Sequence, residues 1–149
     1  MLLDILKSLF ERDLIKLKSE ILAYKHENAL WQTDKEIANC AGNLCLHLIG
    51  NLNAFIGAEL GNTGYIRQRD LEFSLKDVPR DELIKKINDT ILMLNKVFDE
   101  LSEEELQKEY PLKIFKNKTS TEYFLIHLST HLNYHLGQIN YHRRLLDKS

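Results

Sequence analysis

The sequence predicts an all-α protein, a four-helix bundle with a long crossover between helices two and three. Apolar residues recur at steps of three and four along four separate stretches, the spacing that lays one stripe along one face of a helix. Only two prolines and six glycines interrupt 149 residues, so long helices can form unbroken. One connection, residues 61–80, runs about 20 residues without periodicity, which compact domains rarely carry unless it crosses the structure or builds a site.

Helix one follows from Leu3, Leu6, Phe10, Leu14, Leu17, Ile21 and Tyr24, which share one face. The segment "EILAYKHENALWQTDKEIAN" then leads out of it into a turn, where Trp31 is expected as a large plug at one bundle end or as an apolar wall of a site. Helix two is expected to start between Lys35 and Asn39 and to run to about Leu60, stopped by Gly61 and Gly64 in "GNTGY". The short link makes helices one and two antiparallel neighbours, and the long one lets helix three run beside helix two in the same direction. Pro79 suits the first turn of helix three, where its missing N–H would be unpaired anyway. That helix reads through Leu83, Ile87, Ile91, Leu94, Phe98 and Leu101. A capping box, Ser102 with Glu105, opens a short helical turn, and "KEYPLKIFKNK" breaks the pattern with a brief extended piece. A second capping box, Thr119 with Glu122, is expected to open helix four, which lasts to about Leu146. The whole chain, 1–149, reads as a single domain of a size that supports its own core.

Composition narrows the function. Twenty basic against 22 acidic side chains leave a formal charge of −2 and no basic block, so nucleic acid is not an expected partner. No uninterrupted apolar run approaches the roughly 18 residues of a membrane span, and the charged start "MLLDILKSLFERDLIKLKSEI" lacks the apolar core of a secretory signal. Cys40 and Cys45 are the only cysteines. Five residues apart on a helix they would point about 140° away from one another. Two small buried thiols in a reducing cytoplasm are therefore expected, not a disulfide framework.

Four of the six histidines fall in "HLSTHLNYHLGQINYHRRLL", residues 127–146. His131 and His135, four apart, stack on one face of a helix and can meet one cation. His127 and His135 are two turns apart, too far to share an ion unaided. A third protein ligand has to come from elsewhere, and His47 in "NLCLHLIGNLNAFIGAELG" is the best donor. Its face continues through Asn43, Gly50, Asn51 and Ala54, small and polar residues where a bundle core would carry bulky apolar ones. Spacing alone leaves His131 and His135 open between ligands and coincidence, and His47 open between a ligand and a core histidine. The joint arrangement tilts toward metal.

"LCLHLIGNL" in helix two and "HLNYHLGQINYHRR" in helix four resemble the DinB/YfiT superfamily of bacterial four-helix-bundle proteins. The crossover "LGNTGYIRQRDLEF" resembles a branch of that superfamily whose biochemistry is undefined. The resemblance implies a divalent-metal site, nickel or zinc, on His47, His131 and His135. It gives His127 and His142 no counterpart in the triad. It also implies thiol-dependent transfer with a low-molecular-weight thiol, an activity of several members, whereas others have none known.

Three imidazoles leave at least one coordination position open, the mark of a reactive site. A metal there makes thiolate or hydroxide available near neutral pH, which fits an S-transferase or a hydrolase and does not separate them. Asn43, Asn51 and Gln138, one turn from the ligands, are candidate partners for the rings, although Gln138 also suits a packing role. Tyr134 lies beside the histidine face. Arg67 and Arg69, with Tyr65, Asp70 and Glu72, either line the mouth of the pocket or anchor the loop as ion pairs; Arg143 and Arg144 suit a helix C-terminus. Three function classes follow: a metalloenzyme acting on a small molecule, a non-catalytic stress-related module binding metal or a small ligand, and a structural homodimer paired through apolar faces of helices one and three. No further catalytic residue is assigned.

Overall fold

The computed structural model describes residues 1–148, which form an all-helical bundle without strands. Helix α1 is Leu2–Ala23, and a 3-10 turn, Glu27–Trp31, follows it. Helix α2, Ala41–Leu52, continues through a π-helical segment, Asn53–Ala58, into a last turn, α3, Glu59–Gly61. Helix α4, Arg69–Ser74, lies inside the crossover; α5 is Arg80–Glu100, α6 Glu103–Leu106 and α7 Thr121–Leu146.

Side-chain contacts set the directions. Lys7 reaches Asp99 at 2.6 Å near one end, and Arg80 donates to the Leu22 carbonyl near the other, so α1 and α5 are antiparallel. Asn133 donates to Asp13 at 3.2 Å and Asn140 to Glu20 at 2.8 Å, so α7 runs parallel to α1. Asn53 donates to Thr90 at 2.9 Å while Gly57 lies against Met93 and Gly61 against Val97, so α5 runs in the direction of α2, as a crossover requires. Helices α1 and α2 each pack on both α5 and α7 and sit diagonally across the bundle. They are antiparallel but not the neighbours their short link suggests, because the 3-10 turn and residues 32–40 carry the chain across the bundle end.

Several other expectations need correction. Helix two starts at Ala41, with Cys40 as its N-cap, because Lys35 adopts φ +48° and residues 34–37 close a turn first. The crossover is not structureless, since α4 occupies its middle. Helix four is capped by Ser120, whose hydroxyl accepts from the Tyr123 N–H at 3.1 Å. Thr119 donates instead to the Asn117 carbonyl, and Glu122 accepts from Gln107. The Ser102–Glu105 box is present with both of its reciprocal bonds. Ala41–Gly61 does have the length and mean hydropathy, 1.2, of a membrane span, but 61% of that window is buried inside the bundle. It passes that test because it is the core helix.

Every residue from Ala41 to Leu52 is buried, since α4, α5, α7 and the 3-10 turn all pack on α2. Its polar positions Asn43, His47 and Asn51, four apart, therefore form a stripe shut away from bulk water, and such groups need partners. Trp31 closes the N-terminal end. An added Cβ on Gly42 would lie 2.6 Å from the indole ring. Gly42→Ala is therefore expected to destabilise the fold by about 1–3 kcal/mol through overpacking. Urea denaturation followed by fluorescence of this sole tryptophan checks it.

Candidate metal centre

His47 sits at the middle of α2, 7% exposed, and His131 and His135 lie one turn apart on the α7 face that packs against it. The three rings stand nearly perpendicular to one another, with interplanar angles of 78°, 87° and 88°. His131 Nε2 is 3.3 Å from His47 Nε2 and 3.1 Å from His135 Nε2, and the three ligand atoms lie within 4.8 Å of one another. Nitrogens about 2.0–2.1 Å from a tetrahedral ion stand about 3.3 Å apart along the tetrahedron's edge. The group could therefore hold a metal ion without rebuilding the helices.

The outer nitrogens support the same geometry. Glu72 Oε1 lies 3.0 Å from His47 Nδ1, and Gln138 Oε1 lies 2.6 Å from His135 Nδ1. Gln138 Oε1 accepts, so the His135 ring carries its proton on Nδ1 and turns an Nε2 lone pair inward; at His47 Nδ1 the Glu72 carboxylate, at 3.0 Å, favours the same tautomer over the Arg67 Nη2 donor at 3.3 Å. His131 Nδ1 is buried without a hydrogen-bond partner among the described residues. Burial, aided by the neighbouring His135 and His47, lowers the His131 pKa to about 4. Burial also lowers that of His135, against the opposing hydrogen bond to Gln138. Neutral rings at pH 7 are the form that binds metal.

A pH dependence of stability follows. An unfolded histidine titrates near 6.5 and folded His131 near 4, so between these values the unfolded chain binds more protons. His135 and buried His142 are shifted in the same direction, each mainly by burial. The metal-free protein is expected to lose stability as pH falls from about 6.5 toward 4. Melting temperatures across that range check it; a flat profile would contradict it.

The crossover supplies what the helices lack. Arg67 donates twice to Glu72, Nε to Oε2 and Nη2 to Oε1, each at 2.9 Å, and the pair is largely buried. Burial opposes the Glu72 charge, but hydrogen bonds from His47 and Arg67 outweigh it and hold the carboxyl below its ordinary range. Gly50 makes this approach possible: a Cβ there would stand 1.9 Å from Glu72 Oε2. Asn43 holds the segment from below, its Nδ2 donating to the Glu72 and Leu75 carbonyls at 2.8 Å each, while its Oδ1 accepts from Cys40 and Lys76. The loop anchor expected of Arg67 or Arg69 with Asp70 or Glu72 is thus Arg67–Glu72, and it also backs a histidine. That second role is not legible in the sequence, because contact between residues 47 and 72 depends on where the crossover lies.

Beside the histidines opens a cavity of about 280 Å³. Phe55, Ile114, Phe124 and Leu128 wall it, and Asn51, Arg67, Arg69 and His127 add polar groups. Phe55 belongs to the π-helical segment, a distortion common at functional sites, and its carbonyl accepts from Tyr110 at 2.5 Å.

The remaining candidates separate from the cluster. Gln138 meets His135 directly, and Asn51 lines the cavity. Asn43 spends its Nδ2 on the Glu72 and Leu75 carbonyls of the α4 segment, not on a ligand ring. Trp31 packs on Gly42 and is not among the cavity residues. Tyr134 is 65% exposed and stands edge-on to His135 on the outer face. His142 is buried between the Tyr24 hydroxyl and the Gln32 carbonyl, a tie for the bundle end. Arg143 pairs with Glu20 at 2.9 Å. A Cβ on Gly137 would meet nothing within 4 Å among the described residues, so the position faces open space.

A family model described as "Protein of unknown function (DUF1572)" matches residues 2–149. That family lies in the DinB/YfiT-like superfamily. No curated protein matches the chain.

Proposed function

The chain belongs to the DUF1572 family, and starting from that membership we propose that it is a divalent-metal-dependent enzyme with nickel or zinc on His47, His131 and His135. The observation that carries this reading is the convergence of three Nε2 atoms, two of them with tautomers fixed by Glu72 and Gln138. Bound there, such an ion supplies a Lewis acid that lowers the pKa of a water or thiol beside it. Glu72 orients the His47 ring and Gln138 the His135 ring, while Phe55, Phe124 and Leu128 limit water at the site. A low-molecular-weight thiol is the cosubstrate we favour, transferred to an electrophilic carbon; hydrolysis is the alternative. Two buried free cysteines suit a reducing cytoplasm.

A non-catalytic binding module is the second reading, and the cavity lining favours it. Beyond the histidines the lining is mainly apolar, Phe55, Ile114, Phe124 and Leu128, and Arg67 is held by Glu72, which suits holding a ligand more than transforming it.

Untagged protein is purified and its metal measured, and loaded protein is then offered a panel of thiols with electrophiles. Near-stoichiometric nickel or zinc with turnover supports the enzyme. Metal without turnover supports the module. Less than about a tenth of an equivalent of any divalent metal counts against both.

A further inference from the structure

The cavity beside the histidines has a charge and hydrogen-bond pattern that its own residues do not complete. Arg67 is spent on Glu72 by two hydrogen bonds, which neutralises it. Arg69 lines the same cavity and, among the described residues, has no carboxylate partner; its guanidinium lies 5.4 Å from the Phe73 ring centre. Asn51 also lines the cavity, is 7% exposed, and its buried Oδ1 has no hydrogen-bond partner among the described residues. A buried acceptor without a donor is unfavourable unless a ligand or water completes it. At about 280 Å³ the space falls just below the range of drug-sized pockets and suits a smaller molecule.

From these features we propose that the cavity binds a small organic carboxylate that also bears an O–H or N–H donor. Arg69 holds the carboxylate, and Asn51 Oδ1 accepts from the donor. Arg69 offers one unpaired guanidinium for one carboxylate, whatever the histidines hold. Phe55, Ile114 and Phe124 meet the apolar part of the ligand. The inference rests on taking the histidine cavity as the working site, and it names the class of molecule that site admits.

The test is calorimetric titration of metal-loaded and metal-stripped protein with L-lactate, L-lactamide and 2-methoxypropanoate. Lactate is expected to bind at least about tenfold more tightly than lactamide, which lacks the charge, and more tightly than the methoxy acid, which lacks the donor. Arg69→Gln should abolish the preference over lactamide, and Asn51→Leu the preference over the methoxy acid. Equal lactate affinity in wild type and Arg69→Gln overturns the proposal, as does no lactate binding at millimolar concentration. Loss of lactate binding on metal removal, with no effect of Arg69→Gln, also overturns it, because the carboxylate would then sit on the metal. Failure to load metal defeats the proposed function but leaves the titration of stripped protein as a valid test of Arg69 and Asn51.

Discussion

His131→Ala is expected to leave the protein folded but without bound metal. His131 Nε2 is the nitrogen that approaches both of the others, at 3.3 Å from His47 and 3.1 Å from His135. Without it the remaining two imidazoles come from different helices with no third protein donor in their group. Loss of one of three ligands leaves a site that cannot compete with water and buffer for a divalent ion. Stability of the metal-free form should change little, because the ring is only partly buried, its Nδ1 has no bond to lose and its Nε2 contacts go only to the other two rings. Metal analysis after dialysis, with circular dichroism on the same sample, checks it. A stoichiometric ion retained by the folded variant would show that the triad is not the site.

Glu72→Gln is the second large effect. It keeps an oxygen that can accept from His47 Nδ1 but removes the charge that Arg67 neutralises and that favours a proton on that nitrogen. Loss of such an outer partner typically lowers metal affinity about 10–100-fold. Competition against a chromogenic chelator measures it. Gly50→Ala should act in the same direction by another route, because its methyl would occupy the place of Glu72 Oε2. Affinity unchanged in both variants would mean that the carboxylate serves only to fasten the crossover.

The four long helices were legible because their apolar stripes face one continuous core, as at Leu6, Phe10, Leu14, Leu17 and Ile21 of α1. Proximity of His131 and His135 followed from helical spacing alone, and His47 from the polar positions on its own helix. The register between α2 and α7 lay beyond that, since no local pattern fixes which turn of one helix meets which turn of another. The diagonal placement of α1 and α2 was missed because a short link suggests adjacency, while packing on α5 and α7 decides the arrangement. The role of Glu72 is hidden for the same reason: its identity is visible, but it meets His47 across a separation of 25 positions in the chain. The cap at Ser120 was mistaken by one position, because Thr119, Ser120 and Thr121 all carry hydroxyls and only backbone geometry chooses among them.

Since all twelve residues of Ala41–Leu52 are buried, the helix that carries His47 has no outward surface on which mutations drift freely. Room to reshape the surroundings of the site without disturbing that helix lies in the segment between residues 62 and 78 and on the exposed side of α7.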